Sequence, residues 1–232
     1  MKIPKLTPRL SLVADFISEE ECKIVADVGT DHAKLPIWLV ATENAEKVYA
    51  SDLRKGPLKK AAENVAFYLG KEGERIPLIL GDGTQNIPAD YACLSITGMG
   101  GELIAEILDR ANLSNNVILV LSPMTGAEKL RKRLYSSGYD IIREELVREE
   151  EKIYTVIKAK KVNTVPVYPE INEYFSKALL FNRNELLREY IGRYISKFDK
   201  ALSGRRESGK KHSDEEEIEK LRNEMISLEE SI

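Results

Sequence analysis

Cysteine is scarce in this sequence. Cys22 and Cys93 are the only two, both in apolar contexts and neither in a CxxC pair. A disulfide framework and a cysteine-based zinc site are therefore not expected, and a reducing compartment is. Long apolar runs are missing as well: no stretch approaches the ~20 residues needed to span a bilayer. The first 16 residues are interrupted by Lys2, Lys5, Arg9 and Asp15, so they hold no signal-peptide core. A soluble cytoplasmic protein without bound metal is expected. Excess positive charge is absent too. The net charge is −3, which argues against attraction of the whole molecule to nucleic acid but not against local basic patches.

A further lack concerns glycine. The stretch Val25-Ala-Asp-Val-Gly-Thr-Asp-His-Ala-Lys-Leu-Pro36 reads as a strand, a tight turn and a helix start, the junction at which parallel α/β proteins hold nucleotide-like ligands. Backbone N–H groups are expected to point outward there. The dinucleotide fingerprint G-x-G-x-x-G needs three glycines, and only Gly29 stands. Asp27 and Asp31 would repel a pyrophosphate in a partly desolvated turn. They suit a cation, such as the sulfonium and ammonium of S-adenosylmethionine, although a degraded NAD loop of an oxidoreductase is an alternative.

The chain of 232 residues, 43% hydrophobic, fits one α/β domain with an appendage. Thr7-Pro8 marks the start of a lead-in helix. Apolar runs at Cys22–Val28, Lys47–Ser51, Leu78–Leu80, Ala92–Ile96 and Val117–Leu121 each end in small, acidic or turn residues, and helical periodicity lies between them. This alternation predicts a parallel sheet with its ligand site along the carboxyl edge. Asp52 closes the second run 23 residues after Gly29. That is the position of a ribose-binding acid, or of a cap for the helix over 56–68. After a helix over 127–137, two strand-like segments, 140–147 and 152–160, are separated by only four residues, Arg148 to Glu151. So short a link permits a hairpin and forbids a parallel crossover, so the last strand is expected to be antiparallel.

The sheet resembles that of class I S-adenosylmethionine-dependent methyltransferases, a Rossmann-like fold of seven mostly parallel strands. The strings VADVGTDHAKLP, ASDLRKGPLKKAAENV, GDG and TGMGG are similar to those of the bacterial tRNA (adenine-22-N1)-methyltransferase family. The resemblance implies S-adenosylmethionine as cofactor and methyl transfer to N1 of adenine 22 in tRNA. It also implies that Asp27, Gly29, Thr30 and His32 line the methionine end, that Asp52 and Leu53 hold the ribose side, that Gly81, Asp82 and Gly83 meet the adenine ring, and that Thr97 and Gly98 border the methyl group. The family pattern leads one to expect an aromatic residue where this chain has Lys34.

Missing motifs narrow the acceptor. No Asn-Pro-Pro-aromatic string follows the fourth strand, so the usual grip on an exocyclic amine is absent, and no Pro-Cys pair supports attack on cytosine C5. Adenine N1 is already a lone-pair nucleophile, so a general base is optional and a carboxylate could instead stabilise the charge developing on the ring. Asp31, His32 and Met99 are the candidates on the acceptor side. Asp31 and His32 could equally shape the turn, and Met99 could simply fill a gap. A small-molecule or protein acceptor is a further alternative.

Residues 1–165 are expected to form the methyltransferase domain and residues 166–232 a coiled-coil hairpin. Its seams would be Leu187, Ile191, Tyr194, Phe198 and Ile218, Leu221, Met225, Leu228, Ile232, joined by a link over 203–213. Arg193, Lys197, Lys200, Arg205, Arg206, Lys210 and Lys211 are its candidate phosphate contacts, with self-association through the hairpin as the alternative.

Overall fold

The computed structural model describes residues 2–164, 166–208 and 214–232, the side chains of 206–208 excepted. Helix α1 (Pro8–Ser18) begins where Thr7 accepts a hydrogen bond from the Leu10 amide, with Pro8 in its first turn. Strand β1 (Ile24–Val28), helix α2 (Lys34–Ala41), strand β2 (Lys47–Asp52), helix α3 (Lys55–Leu69), strand β3 (Leu78–Leu80), strand β4 (Cys93–Thr97), helix α4 (Gly101–Arg110), strand β5 (Ile118–Ser122) and helix α5 (Ala127–Ser136) then alternate. The hairpin β6 (Tyr139–Glu149) and β7 (Lys152–Lys161) completes a seven-stranded sheet of order β3-β2-β1-β4-β5-β7-β6. β1 to β5 pair in parallel, and β7 lies antiparallel to both β5 and β6. The fold is Rossmann-like, with the antiparallel strand where the short link required it; the strands run further than expected, so only Glu150 and Glu151 join β6 to β7.

One apolar cluster packs α1, α2 and α3 on one face of the sheet, and a second packs α4 and α5 on the other. Cys22 and Cys93 are free thiols in the first cluster. The strand order reverses between β1 and β4, so the carboxyl ends of these strands open the crevice in which doubly wound folds bind ligands.

The tail departs from the sequence expectation. The first arm of the hairpin is not a single helix: the chain forms α6 (Ile171–Tyr174), α7 (Lys177–Asn182) and α8 (Leu187–Ser208). Short polar side chains interrupt it by bonding the local backbone. Asn172 donates to the Phe175 carbonyl, Ser176 caps α7 at the Leu179 amide, and Asn184 accepts from the Leu186 amide. Phe175 thereby turns inward and is fully buried. Helix α8 also runs into the expected link as far as Ser208, so Arg205 and Arg206 are helical rather than part of a loop. It packs antiparallel on α9 (Glu215–Glu230), with Arg205 paired to Asp214 and Arg222 to Asp199.

A third apolar cluster joins Leu146 of β6 and Ile153 of β7 to Phe175, Leu179, Ile191, Leu221 and Met225 of the tail. At its border the fully buried Arg131 of α5 donates to Glu144 of β6 (2.6 Å), to the Glu173 carbonyl (3.2 Å) and to the Tyr190 hydroxyl of α8 (3.3 Å). The tail thus completes the hydrophobic covering of the sheet's last two strands. Cutting it away would uncover that strip and strand a buried arginine.

Candidate cofactor and acceptor site

Asp27 lies in β1 with Ala50 of β2 and Ser95 of β4 as its register neighbours. Only 2% of it is exposed, and no cation pairs with it among the described residues. Burial pushes its pKa up to about 6, and the Asp52 charge adds to the shift. The Thr30 and Ser95 hydroxyls lean towards the carboxylate and pull the value partly back, but neither closes a hydrogen bond, and both oxygens are buried without a partner. A buried carboxylate beside two unsatisfied hydroxyls is costly unless a ligand group completes it. An ammonium, with three donors and a positive charge, fits this set.

The turn that follows differs from expectation in one respect. The N–H groups of Gly29 and Thr30 do not point outward: both donate to the Ser51 carbonyl of β2, at 2.8 and 3.0 Å. They are spent on joining the two strand ends and cannot cradle a pyrophosphate. Gly29 (φ +74°), Asp31 (+46°) and Ala33 (+55°) all adopt left-handed conformations, an arrangement that stores strain in a non-glycine turn. Asp31 and His32 sit on the outer side of this turn, with His32 Nε2 3.6 Å from an Asp31 oxygen. The His32 backbone is pinned by Asn64 of α3, which donates to its carbonyl. Lys34 is exposed at the head of α2.

Met99 lies across Gly29: a Cβ there would stand 2.3 Å from Met99 Cε. Gly29→Ala is therefore expected to perturb the crevice through both the positive φ and this clash, costing about 1–2 kcal/mol. Added Met99→Ala should recover the clash portion only, as a double-mutant cycle of thermal unfolding would show. The loop after β4 is itself fixed to the loop after β5, with Met124 N–H donating to the Met99 carbonyl and Gly101 N–H to the Thr125 carbonyl. Thr97 is buried at the end of β4, and Gly98 (φ +78°) faces open space.

Asp52 is buried at the end of β2 and takes the Arg54 amide on Oδ1 at 2.8 Å. It bonds the residue before α3 rather than the helix's own first-turn donors. Leu53 beside it is 67% exposed, an apolar surface at the mouth of the crevice. Across from it, Gly81 N–H donates to the Asp52 carbonyl, and Ser51 Oγ donates to the Gly83 carbonyl. Asp82 is bidentate to Arg110 of α4, at 2.8 and 3.4 Å. Asp82, Gly83, Thr84, Gln85, Ile107 and Arg110 line a cavity of about 300 Å³.

The crevice therefore gathers Asp27, Gly29, Thr30, Asp52, Leu53, Gly81, Gly83, Thr97 and Met99, while Asp31 and His32 stand at its outer edge. Ser51, Ser95 and Arg110 were missed from sequence. A serine inside a strand carries no signal of its own; only its register beside Asp27 or its reach to the next loop reveals a role.

The tail cations are less available than their sequence suggests. Arg193 donates to Glu189 and the Glu151 carbonyl, Lys197 pairs with Glu128, and Arg205 with Asp214. Lys200 lines a shallow groove with Arg188. The Arg206 side chain, Lys210 and Lys211 lie outside the described residues. Among the described residues no group of three or more His, Cys, Asp or Glu side chains could hold a metal, and no helix is long and apolar enough to cross a membrane.

A mostly parallel sheet ending in an antiparallel strand, with a buried acid at its first carboxyl end and another at its second, defines a class I S-adenosylmethionine-dependent methyltransferase. Comparison with known proteins agrees: residues 6–157 match the family described as a methyltransferase domain. The chain is 34% identical over 173 residues to the tRNA (adenine(22)-N(1))-methyltransferase of Bacillus subtilis, covering 72% of this chain and 70% of that one. The crystal structure of the B. subtilis m1A22 tRNA methyltransferase TrmK superposes with a TM-score of 0.84 at 25% identity, covering 97% and 98% of the two chains. A Streptococcus pneumoniae protein solved in complex with S-adenosyl-L-methionine does so with a TM-score of 0.81 at 26% identity, covering 97% and 99%. The chain belongs to the bacterial tRNA (adenine-22-N1)-methyltransferase family.

Proposed function

We propose that the protein methylates N1 of adenine 22 in tRNA, using S-adenosylmethionine, in the cytoplasm. The observation that carries the cofactor half is the buried Asp27 with its two unpartnered hydroxyls, in a turn whose amide donors are already spent. We assign residues 1–165 to catalysis and residues 166–232 to a helical unit that joins the sheet edge and can extend the RNA surface.

When bound, S-adenosylmethionine supplies an electrophilic methyl group on its sulfonium. Asp27, with Thr30 and Ser95, would hold the ammonium, Asp52 the ribose hydroxyls, and Leu53 with the loop 81–83 the adenine. Asp82 would have to share its carboxylate between Arg110 and the ring's exocyclic amine. Asp31 and His32, outside the cofactor crevice, face the incoming base. Adenine N1 needs no proton removed, so their work is to orient the base and to offset the positive charge that grows on it. N1 lies on the Watson–Crick edge, so a paired base must leave its stack before attack.

Asp52→Ala is expected to weaken S-adenosylhomocysteine binding ~10–100-fold, the loss of a charge-assisted site worth ~1.5–3 kcal/mol. Calorimetry on the folded variant checks this, and unchanged affinity would remove Asp52 from the ribose role. The decisive test of the whole reading is tritium-methyl transfer to unmodified tRNA followed by nucleoside mapping. Label at any position other than N1 of adenine 22 would refute it.

A further inference from the structure

We infer that the principal phosphate-binding surface for the RNA is the outer face of the first turns of α3, centred on Lys55 and Lys59, rather than the helical tail. This rests on the tRNA reading above and deepens it.

Charge, partners and position all point this way. Along 54–63 the chain runs through Arg54, Lys55, Lys59 and Lys60 before it meets an acid, Glu63. Arg54, Lys55, Lys59 and Lys60 are all exposed. Lys60 pairs with Glu63 at 3.0 Å and Arg54 stands 3.8 Å from Asp52. Lys55 and Lys59, one helical turn apart, form no ion pair among the described residues, and neither does the exposed Lys34 at the head of α2. Lys59 is partly offset by Glu63, one turn further on, whose carboxyl it helps Lys60 to hold below the usual range, whereas Lys55 has no such neighbour among the described ion pairs.

Most tail cations are already engaged, and the exposed Arg188 and Lys200, which form no ion pair among the described residues, share their groove with Glu185, Glu189 and Glu229. Arg193, Lys197 and Arg205 are held by Glu189, Glu128 and Asp214, so a phosphate must first displace a carboxylate. The segment over 214–232 adds eight acids against two bases, a surface that repels a polyanion.

Position completes the case. Lys55 opens the helix that follows Asp52 and Leu53, and α3 is fastened to the Asp31-His32 turn by the Asn64 side chain. The basic face thus borders the same crevice mouth at which the acceptor base must arrive. Phosphates gripped there fix the register of the backbone next to the reacting nucleotide and carry no sequence information themselves. The ligand chemistry is a folded RNA backbone whose phosphates flank an extruded base.

The test uses the full-length chain and an unmodified tRNA transcript, with affinity measured by anisotropy across a salt series. In Lys55→Gln/Lys59→Gln, tRNA affinity near 0.1 M salt should fall about 10–30-fold, and the slope of log K against log salt should shrink by about 1.5, for two lost phosphate contacts. S-adenosylhomocysteine affinity should stay at the wild-type value, which shows the crevice is intact. Arg188→Gln/Lys200→Gln on α8 is the comparison and should lose less. The assignment is overturned if the α3 pair keeps wild-type affinity and slope, or if the α8 pair loses more. A wild-type chain that binds S-adenosylhomocysteine but not tRNA would sink the RNA reading itself, an outcome distinct from failure of the α3 face alone.

Discussion

Asp27→Asn is expected to make the ligand-free protein more stable at neutral pH while weakening S-adenosylmethionine binding by ~10–100-fold. The two effects have one origin. In the fold the Asp27 carboxyl titrates at about 6, against an ordinary value of 3.8, because burial disfavours the charged form. A folded pKa above the unfolded one means that the native state holds the proton more tightly. The folded state is therefore unpenalised below pH 4, loses stability as the pH rises from about 4 to about 6, and bears the full cost above that. Two pH units correspond to about 3 kcal/mol.

Asparagine removes the ionisation and can bond the waiting Thr30 and Ser95 hydroxyls. It also removes the negative charge that an ammonium would meet, a loss of ~1.5–3 kcal/mol for a charge-assisted hydrogen bond. Urea unfolding of both proteins between pH 4.5 and 7.5 reads the first effect as a stability difference that grows with pH. Calorimetry reads the second. Because the cation needs Asp27 ionised, wild-type affinity should also fall below pH 6, by up to about tenfold per unit, with protons released on binding. A binding heat that does not depend on the ionisation enthalpy of the buffer at pH 5.5 would show that Asp27 is already charged, or is not the contact.

Glu144→Gln should destabilise the protein by about 3–5 kcal/mol, the range for breaking a buried ion pair from one side. Arg131 and Glu144 are both fully buried, and the guanidinium has no route to water once its counter-charge is gone. For a chain of this length that loss lowers the melting temperature by roughly 10 °C or more. Arg131→Met/Glu144→Leu should recover most of it, since two apolar side chains leave no orphaned charge. The full recovery would not be reached, because Thr155, Tyr190 and the Glu173 carbonyl each lose a hydrogen bond. Scanning calorimetry of the single and double variants distinguishes this from a pair that merely decorates the surface, for which neither change would move the transition. S-adenosylhomocysteine binding by the single variant well below its melting temperature should be retained, as the pair lies at the far edge of the sheet from β1.

Much of this was legible in the sequence because it is periodic or local. Apolar runs ending in small, acidic or turn residues marked the strands and the carboxyl edge, and the short link expected at Arg148 to Glu151, of which only Glu150 and Glu151 lie outside the strands, required the antiparallel pairing of β6 and β7. Asp27 and Asp52 were visible as acids at strand ends. The rest depended on register or on distance along the chain. Nothing in Ser51 or Ser95 distinguishes them from other strand serines until β2 and β4 are laid beside β1. That same pairing turned the Gly29 and Thr30 amides inward, where a local reading of the turn had them facing out. Arg131 and Glu144, 13 residues apart on different elements, look like ordinary surface charges until the tail covers them. The breaks around Phe175 and Asn184, before the seam that begins at Leu187, were not visible, since one hydrogen bond from a short polar side chain outweighs propensity at a single position. The tail cations were easy to count, but Lys197 finds its acid, Glu128, on α5, Arg205 finds Asp214 at the head of α9, and Arg193 adds the Glu151 carbonyl after β6 to Glu189 on its own helix.

The apolar strip carried by Leu146 and Ile153 also has a temporal side. On the ribosome these residues emerge well before Ile191, Leu221 and Met225, which cover them. At ~5–20 residues per second the interval between Ile153 and Met225 is roughly 4–14 s. For that time the nascent sheet carries a sticky hairpin, and Arg131 waits for Tyr190. Slow translation through 154–225 would lengthen the window in which a second nascent chain can dock on the strip, so the pace of synthesis over this stretch should govern how much protein is recovered folded.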